Sequence, residues 1–246
     1  MNAIQRNAFT DAIGGLGRTL PRPSAVLVIS AHWRTTGTRV LNAAWPETIH
    51  DFSGFPEELF RVRYPAPGSP ATANRIVKLL EQFGVKDDPE WGLDHGTWSV
   101  LRHIYPGADI PTVQLSLNRR LDLAGHLALA QMLAPLRDEG VLILGSGNIT
   151  HNLGEVDFNE DAKPVLWAEQ FDQRMALAIE HRDVDFLLRR SDPDWAALWR
   201  RALPTSEHYI PFLYAFGASD ESDLISFPYQ GIQNGTLSMR CVQFGT

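Results

Sequence analysis

The sequence predicts an α/β fold: a single domain with a mostly parallel central sheet flanked by helices. Three observations predict it. Short, almost wholly apolar runs rich in Val, Ile and Leu occupy 24–30 (SAVLVIS), 111–117 (PTVQLSL) and 140–145 (GVLILG). Runs of that kind suggest strands buried on both faces of a parallel sheet. Helix-like segments lie between them, and no internal repeat, low-complexity tract or long linker divides the 246 residues. That length admits one large domain or two small ones, and one is the simpler architecture.

Taken in order, 24–30 is the first strand. The Pro/Gly-rich stretch 46–70 (PETIHDFSGFPEELFRVRYPAPGSP) is the longest irregular region. Irregular regions of that length in compact domains tend to be functional or disordered. Phe52, Phe55, Phe60 and Tyr64 make this one too aromatic for disorder, and it reads as a pocket wall. A helix is expected over 69–83, with Ser69 as N-cap and Pro70 in the first turn. Further helices are expected over 97–104, 122–138 and 164–182, the last ending on His181–Arg182, which suits a negative helix terminus. A helix over about 208–216 follows, and 236–244 alternates like a closing strand.

A net charge of −7 argues against nucleic acid as the main partner, because phosphate binding needs a concentrated basic surface. The nearest approach to a basic cluster, Arg189–Arg190, reads as a solvated helix end. One cysteine, Cys241, excludes an intrachain disulfide and reads as a small buried residue. No apolar stretch approaches the ~20 residues that span a membrane. The first residues, MNAIQRNAFTDAIGG, lack the layout of a secretory signal. A cytoplasmic protein is expected, and its oligomeric state, a homo-oligomer included, is left open.

Five of the eight histidines sit at the ends of strand-like runs or in turns beside them: His32, His50, His95, His151 and His208. Imidazole is the commonest metal ligand and moves protons near neutral pH, and open α/β sheets place their sites beyond the carboxyl ends of strands. Singly, a histidine such as His32 is better explained as a packed or surface residue. His103, His126 and His181 read as mid-helix or end-helix residues without a catalytic role. His-Glu-x-x-His, Cys-x-x-Cys, a P-loop and Gly-x-Gly-x-x-Gly are absent, and LGSGN does not match the Gly-x-Ser-x-Gly of hydrolases. Glu207, adjacent to His208, reads as a cap or surface group.

Together, LPRPSAVLVISAHW, TIHDFSGFPEELF, YPAPGSP, WGLDHGTWSVL, IYPGADIPTVQLSL, LRDEGVLILGSGNITHNL, SEHYIPFLYAFGA and GTLSMRCVQFG resemble the class III (LigB-type) extradiol ring-cleavage dioxygenases, in their 4,5-DOPA dioxygenase-like branch. The resemblance implies a mononuclear non-haem iron(II) site, with zinc often bound instead in isolated members. It implies a small catechol and O₂ as substrates. His32 and His208 match metal ligands. His151 matches the acid/base residue, counted with the metal in some members. His95 and His50 match histidines behind the ligands or on the substrate side, His95 serving catalysis and His50 substrate binding.

The family normally opens with a short strand ending in Gly-His-Gly-Ser-Pro-Met, whose His is a metal ligand, whereas this sequence starts at Met1-Asn2-Ala3. The expectation is a start assigned downstream of that motif, with weak or no iron binding and low activity for the 246 residues as they stand. The same departure supports an alternative, a non-catalytic relative that keeps the pocket as a metal or small-molecule binding module. A metal-dependent hydrolase is disfavoured because no carboxylate stands in a ligand-like motif.

Overall fold

Pairing on both sides puts the first apolar run at the heart of the sheet. The computed structural model describes residues 2–159, 162–189 and 193–245. Helix α1 (Ala8–Thr19) leads into β1 (Ala25–Thr35) and β2 (Arg39–Leu41), followed by α2 (Glu57–Phe60), α3 (Pro70–Leu79), β3 (Lys86–Asp88), α4 (His95–Ile104) and β4 (Thr112–Asn118). Then come α5 (Leu123–Gln131), α6 (Pro135–Asp138), β5 (Val141–Ser146), α7 (Leu166–Glu180), α8 (Val184–Leu187), α9 (Pro193–Ala202) and α10 (Ile210–Gly217). The chain closes with β6 (Ile225–Tyr229), β7 (Ile232–Gln233), β8 (Leu237–Ser238) and β9 (Cys241–Phe244). The central sheet has the order β3-β2-β4-β1-β5. β1 runs parallel to β4 and β5, and only the β2–β4 contact is antiparallel. The expected single α/β domain with a mostly parallel sheet is the observed architecture.

Side chains alternate across β1, as a pleated strand requires. Leu27 and Ile29 face a core that includes Ala73, Ile76, Leu129 and Tyr214 of α3, α5 and α10. Val26 and Val28 face the opposite core, with Phe9 and Ile13 of α1 and Trp98 and Leu101 of α4. Helices therefore cover both faces, and a third cluster, with Phe171, Met175, Phe186 and Trp199, joins α7, α8 and α9 to α10. Near its carboxyl end β1 slips register against β4 between Ile29 and Arg34. Such bulges re-aim side chains, and this one contains His32.

Several elements depart from expectation for identifiable reasons. The 122–138 helix breaks after Gln131 and resumes at Pro135, whose ring clashes with the carbonyl of the residue four before it. The 69–83 helix stops at Leu79, and a short 3₁₀ turn runs to Gly84 at φ 61. Helix α4 starts two residues early because Asp94 caps it. The 208–216 helix starts at Ile210, so His208 sits in the preceding turn, not in the first helical turn. The closing segment 236–244 forms two short strands that pair with β7 and β6 outside the central sheet. Helix α1 was not expected from the sequence, although Phe9, Ile13 and Leu16 recur at helical spacing and three glycines interrupt the run. Asn7 and Thr10 start it with reciprocal side-chain-to-backbone bonds of 3.0 and 2.8 Å. A Cβ on its Gly17 would lie 1.8 Å from the Ile104 carbonyl oxygen, so α1 crosses α4 only because that residue is glycine.

Arg189 is not a solvated helix end: it is half-buried, its guanidinium 4.8 Å from the Trp199 ring centroid. Arg190 lies outside the described residues. Burial pushes the Cys241 thiol up to about 12, which makes it inert at neutral pH. Among the described residues no helix is long and apolar enough to cross a membrane.

Candidate metal and substrate site

Four histidines from four separate segments meet where β1 ends. His32 projects from the bulge, its backbone N–H donating to Ser30 Oγ at 3.2 Å. His95 is the first residue of α4, whose cap Asp94 accepts from Thr97 N at 3.0 Å and from Gln114 Nε2 of β4 at 2.8 Å. That lattice locks α4 to the sheet. A Cβ at Gly96 would stand 2.3 Å from Ser30 Oγ and 2.9 Å from His32 Cδ2, so only glycine lets the helix start approach the bulge. His151 follows β5, and its N–H donates to the Ala202 carbonyl at 2.8 Å. The turn at His208 is pinned by Asn148 N, which donates to the His208 carbonyl at 2.8 Å.

The rings form a continuous chain. His151 and His208 stack with centroids 3.4 Å apart. His208 meets His32 edge to face at 5.2 Å, and His32 lies 3.8 Å from His95. Asp51 lies beneath: Oδ1 accepts from His95 N at 2.8 Å, and Oδ2 is 2.9 Å from His95 Nδ1 and 3.9 Å from His32 Nδ1. One ligating atom each from His32, Asp51 and His95 fall within 4.8 Å of one another. The side chains of His32 and His95 remain 27% and 28% exposed, so the cluster opens to solvent.

Electrostatics favour neutral imidazoles. Burial, reinforced by His95, lowers His32 to about 4. Burial, reinforced by His151 and His32, lowers His208 to about 2, and burial also lowers His151. For Asp51, burial works upward, but the side-chain and backbone contacts with His95 outweigh it and hold the carboxyl below its usual range. Neutral imidazoles beside an ionised carboxylate are metal donors without competing protons. His208 Nδ1 is buried without a partner, a cost that a metal bond would remove. Imidazoles beside a carboxylate, as at His32, Asp51 and His95, are a donor set that suits a divalent first-row metal.

His50 stands one ring further out. Its Nε2 is 3.1 Å from the Val62 carbonyl, and its ring packs against Phe52, Phe60 and Trp98; Phe52 in turn touches His95. The aromatic stretch 46–64 thus forms a wall beside the cluster. His126 is a core histidine bonded to Tyr214 Oη at 3.0 Å, His103 bonds the Asn2 carbonyl at 2.8 Å, and His181 bonds the Leu177 carbonyl at 2.8 Å. All three lie outside the cluster.

Sequence reasoning missed one carboxylate and misread another. Asp51 reaches the metal-ligand atoms although no ligand motif contains it; its only signal was adjacency to His50 in TIHDF. Glu207, expected at a cap or on the surface, is half-buried, with Oε2 3.7 Å from Arg34 Nη1.

With this geometry in hand, relatives carry weight. The family model for the catalytic LigB subunit of aromatic ring-opening dioxygenase matches residues 10–236. The chain belongs to this family, and it is an enzyme of the extradiol dioxygenase class. It is 45% identical to the 4,5-DOPA dioxygenase extradiol of Escherichia coli, over 100% of this chain and 91% of that protein. Against the 4,5-DOPA dioxygenase extradiol of Beta vulgaris it is 40% identical, over 91% and 83% of the two chains. The crystal structure of an uncharacterised Escherichia coli protein superposes with a TM-score of 0.84 at 40% identity, covering 98% of this chain and 94% of that one.

Proposed function

We propose that the chain inserts both atoms of O₂ into a small, DOPA-like catechol, breaking the ring bond next to the two hydroxyls, at a mononuclear non-haem metal. His32 and His208 would hold the metal, with His151 stacked against His208 and Asp51 supplying a carboxylate within reach of His32. Iron(II) is the expected metal, and it would supply the coordination sites and redox chemistry that bring catechol and O₂ together. Zinc shares these donor types, so metal content distinguishes the two. The observation supporting this reading is the convergence of neutral imidazoles around His208, whose buried Nδ1 has no partner.

The remaining groups handle protons and position. His151 is uncharged at neutral pH and can take a phenolic proton and return it to the opened product. Asp51 grips His95 through both backbone and ring, fixing the face that His95 presents to the catechol. His50 and Phe52 border the substrate side and exclude water from the ring. Incubating the chain with iron(II), O₂ and DOPA or catechol tests the proposal: a yellow semialdehyde supports it. Metal and catechol binding without product would instead leave a binding module.

A further inference from the structure

Arg34 and Glu207 form an ion pair on the rim of the histidine cluster that is looser than every other of its kind. Their closest atoms are 3.7 Å apart, whereas the nine other arginine–carboxylate pairs among the described residues lie between 2.6 and 3.4 Å. Well-made charge-assisted bonds of this type sit at roughly 2.7–2.9 Å. The pair is therefore two opposite charges held side by side with bonding capacity to spare.

Their placement follows from the elements that build the site. Arg34 lies two residues beyond His32 on β1, and the residue between them, Trp33, turns inward to stack on Trp91 with planes 2° apart. Arg34 is exposed and reaches across to Glu207, the residue directly before His208, which places the pair beside the cluster. Glu207 directly precedes His208. Thr205 Oγ1 donates to Glu207 Oε1 at 2.6 Å, which fixes the carboxylate and leaves Oε2 towards Arg34. The Arg34 side chain is 44% exposed and that of Glu207 19%, so a ligand can reach both.

We propose that Arg34 and Glu207 are a headgroup clamp that selects catechols bearing a zwitterionic α-amino-acid chain, the guanidinium taking the carboxylate and the Glu207 carboxylate taking the ammonium. The assignment rests on the ring-opening reading for the catechol end and adds the specificity of the other end. A zwitterion matches the pair charge for charge, so neither partner is left unpaired when it binds. A headgroup with only one charge satisfies one side and faces repulsion from the other.

The test compares DOPA, dopamine, 3,4-dihydroxyphenylpropionate and catechol by calorimetry under argon, on the full chain with and without added zinc(II), and separately by turnover in air with iron(II). Wild type is expected to bind DOPA best. Arg34→Met is expected to weaken DOPA and the propionate roughly 10- to 100-fold, to leave catechol unchanged and, with the repulsion of its ammonium removed, not to weaken dopamine. Glu207→Gln should weaken DOPA and dopamine and spare the propionate. Arg34→Lys, which keeps the charge and the fold, should restore part of the preference for carboxylates. Variants that weaken all four ligands equally, or none, overturn the clamp. If the binding pattern holds but no ligand is ring-opened, the clamp stands and the ring-opening reading fails.

Discussion

The rings of His151 and His208 lie face to face, centroids 3.4 Å apart and planes 5° from parallel. Two imidazolium cations cannot share that geometry, because like charges at this distance repel strongly in a partly buried site. The stack therefore requires that at least one ring stay unprotonated, and burial holds both below the usual histidine range. It is a contact that favours metal over protons.

A pH dependence follows. Burial lowers His32 and His126 to about 4 and His208 to about 2. The unfolded chain protonates histidine near 6.5, so between those values it binds more protons than the folded one. The stabilisation from neutral burial is thus complete above about pH 6.5 and is lost as pH falls towards the folded values. Urea unfolding of the metal-free chain should show a midpoint that declines from pH 7 to pH 5. A flat profile over that range would contradict the assignment.

Asp51 should matter without being replaceable by an amide. Asp51→Asn keeps the shape but removes the charge beneath His95 and His32, and partners of this kind typically contribute 10- to 100-fold in metal affinity or activity. Metal titration should show a loss in about that range, with little change in melting temperature. Unchanged affinity would place Asp51 outside the metal's environment.

Gly96→Ala tests the close approach of α4 to the bulge. Its new Cβ would meet Ser30 Oγ at 2.3 Å and His32 Cδ2 at 2.9 Å. Overpacking of this kind costs about 1–3 kcal/mol, and His32 is the more movable neighbour. Activity should fall further than stability does, as read from turnover beside thermal unfolding.

Far from the histidines, Asp172 of α7 accepts from Ser238 Oγ at 2.6 Å and pairs with Arg240 at 2.6 Å, the two ionic side chains 8% and 4% exposed. Asp172→Ala would leave the Arg240 charge buried and unpaired, a change that typically costs about 3–5 kcal/mol. Denaturant unfolding should reveal a loss of that order. A change below about 1 kcal/mol would show that Arg240 finds water instead.

The parts of this fold legible in the sequence were those whose signal is local. The strands at 25–35, 112–118 and 141–146 announced themselves as apolar runs, and Ser69–Pro70 announced a helix start. The three-residue strands β2 and β3 carry too few residues to show a period, and α1 is interrupted by three glycines, of which Gly17 is required by its crossing of α4. In the site, His32, His95, His151 and His208 were legible as strand-end and turn histidines, and the resemblance supplied their grouping. Asp51 and the Arg34–Glu207 pair were not, because their partners lie tens to hundreds of residues away. His50 was legible as a residue but not in its distance from the cluster, which depends on how the aromatic loop folds against Trp98.

The most direct test of the central claim is the fate of molecular oxygen. The iron(II)-supplied chain should turn a catechol over in isotopically labelled dioxygen to a ring-opened product carrying both labelled atoms, read by mass spectrometry under conditions that limit aldehyde exchange, and His208→Ala should abolish it. A product carrying one label or none, or unchanged turnover in His208→Ala, would contradict the account.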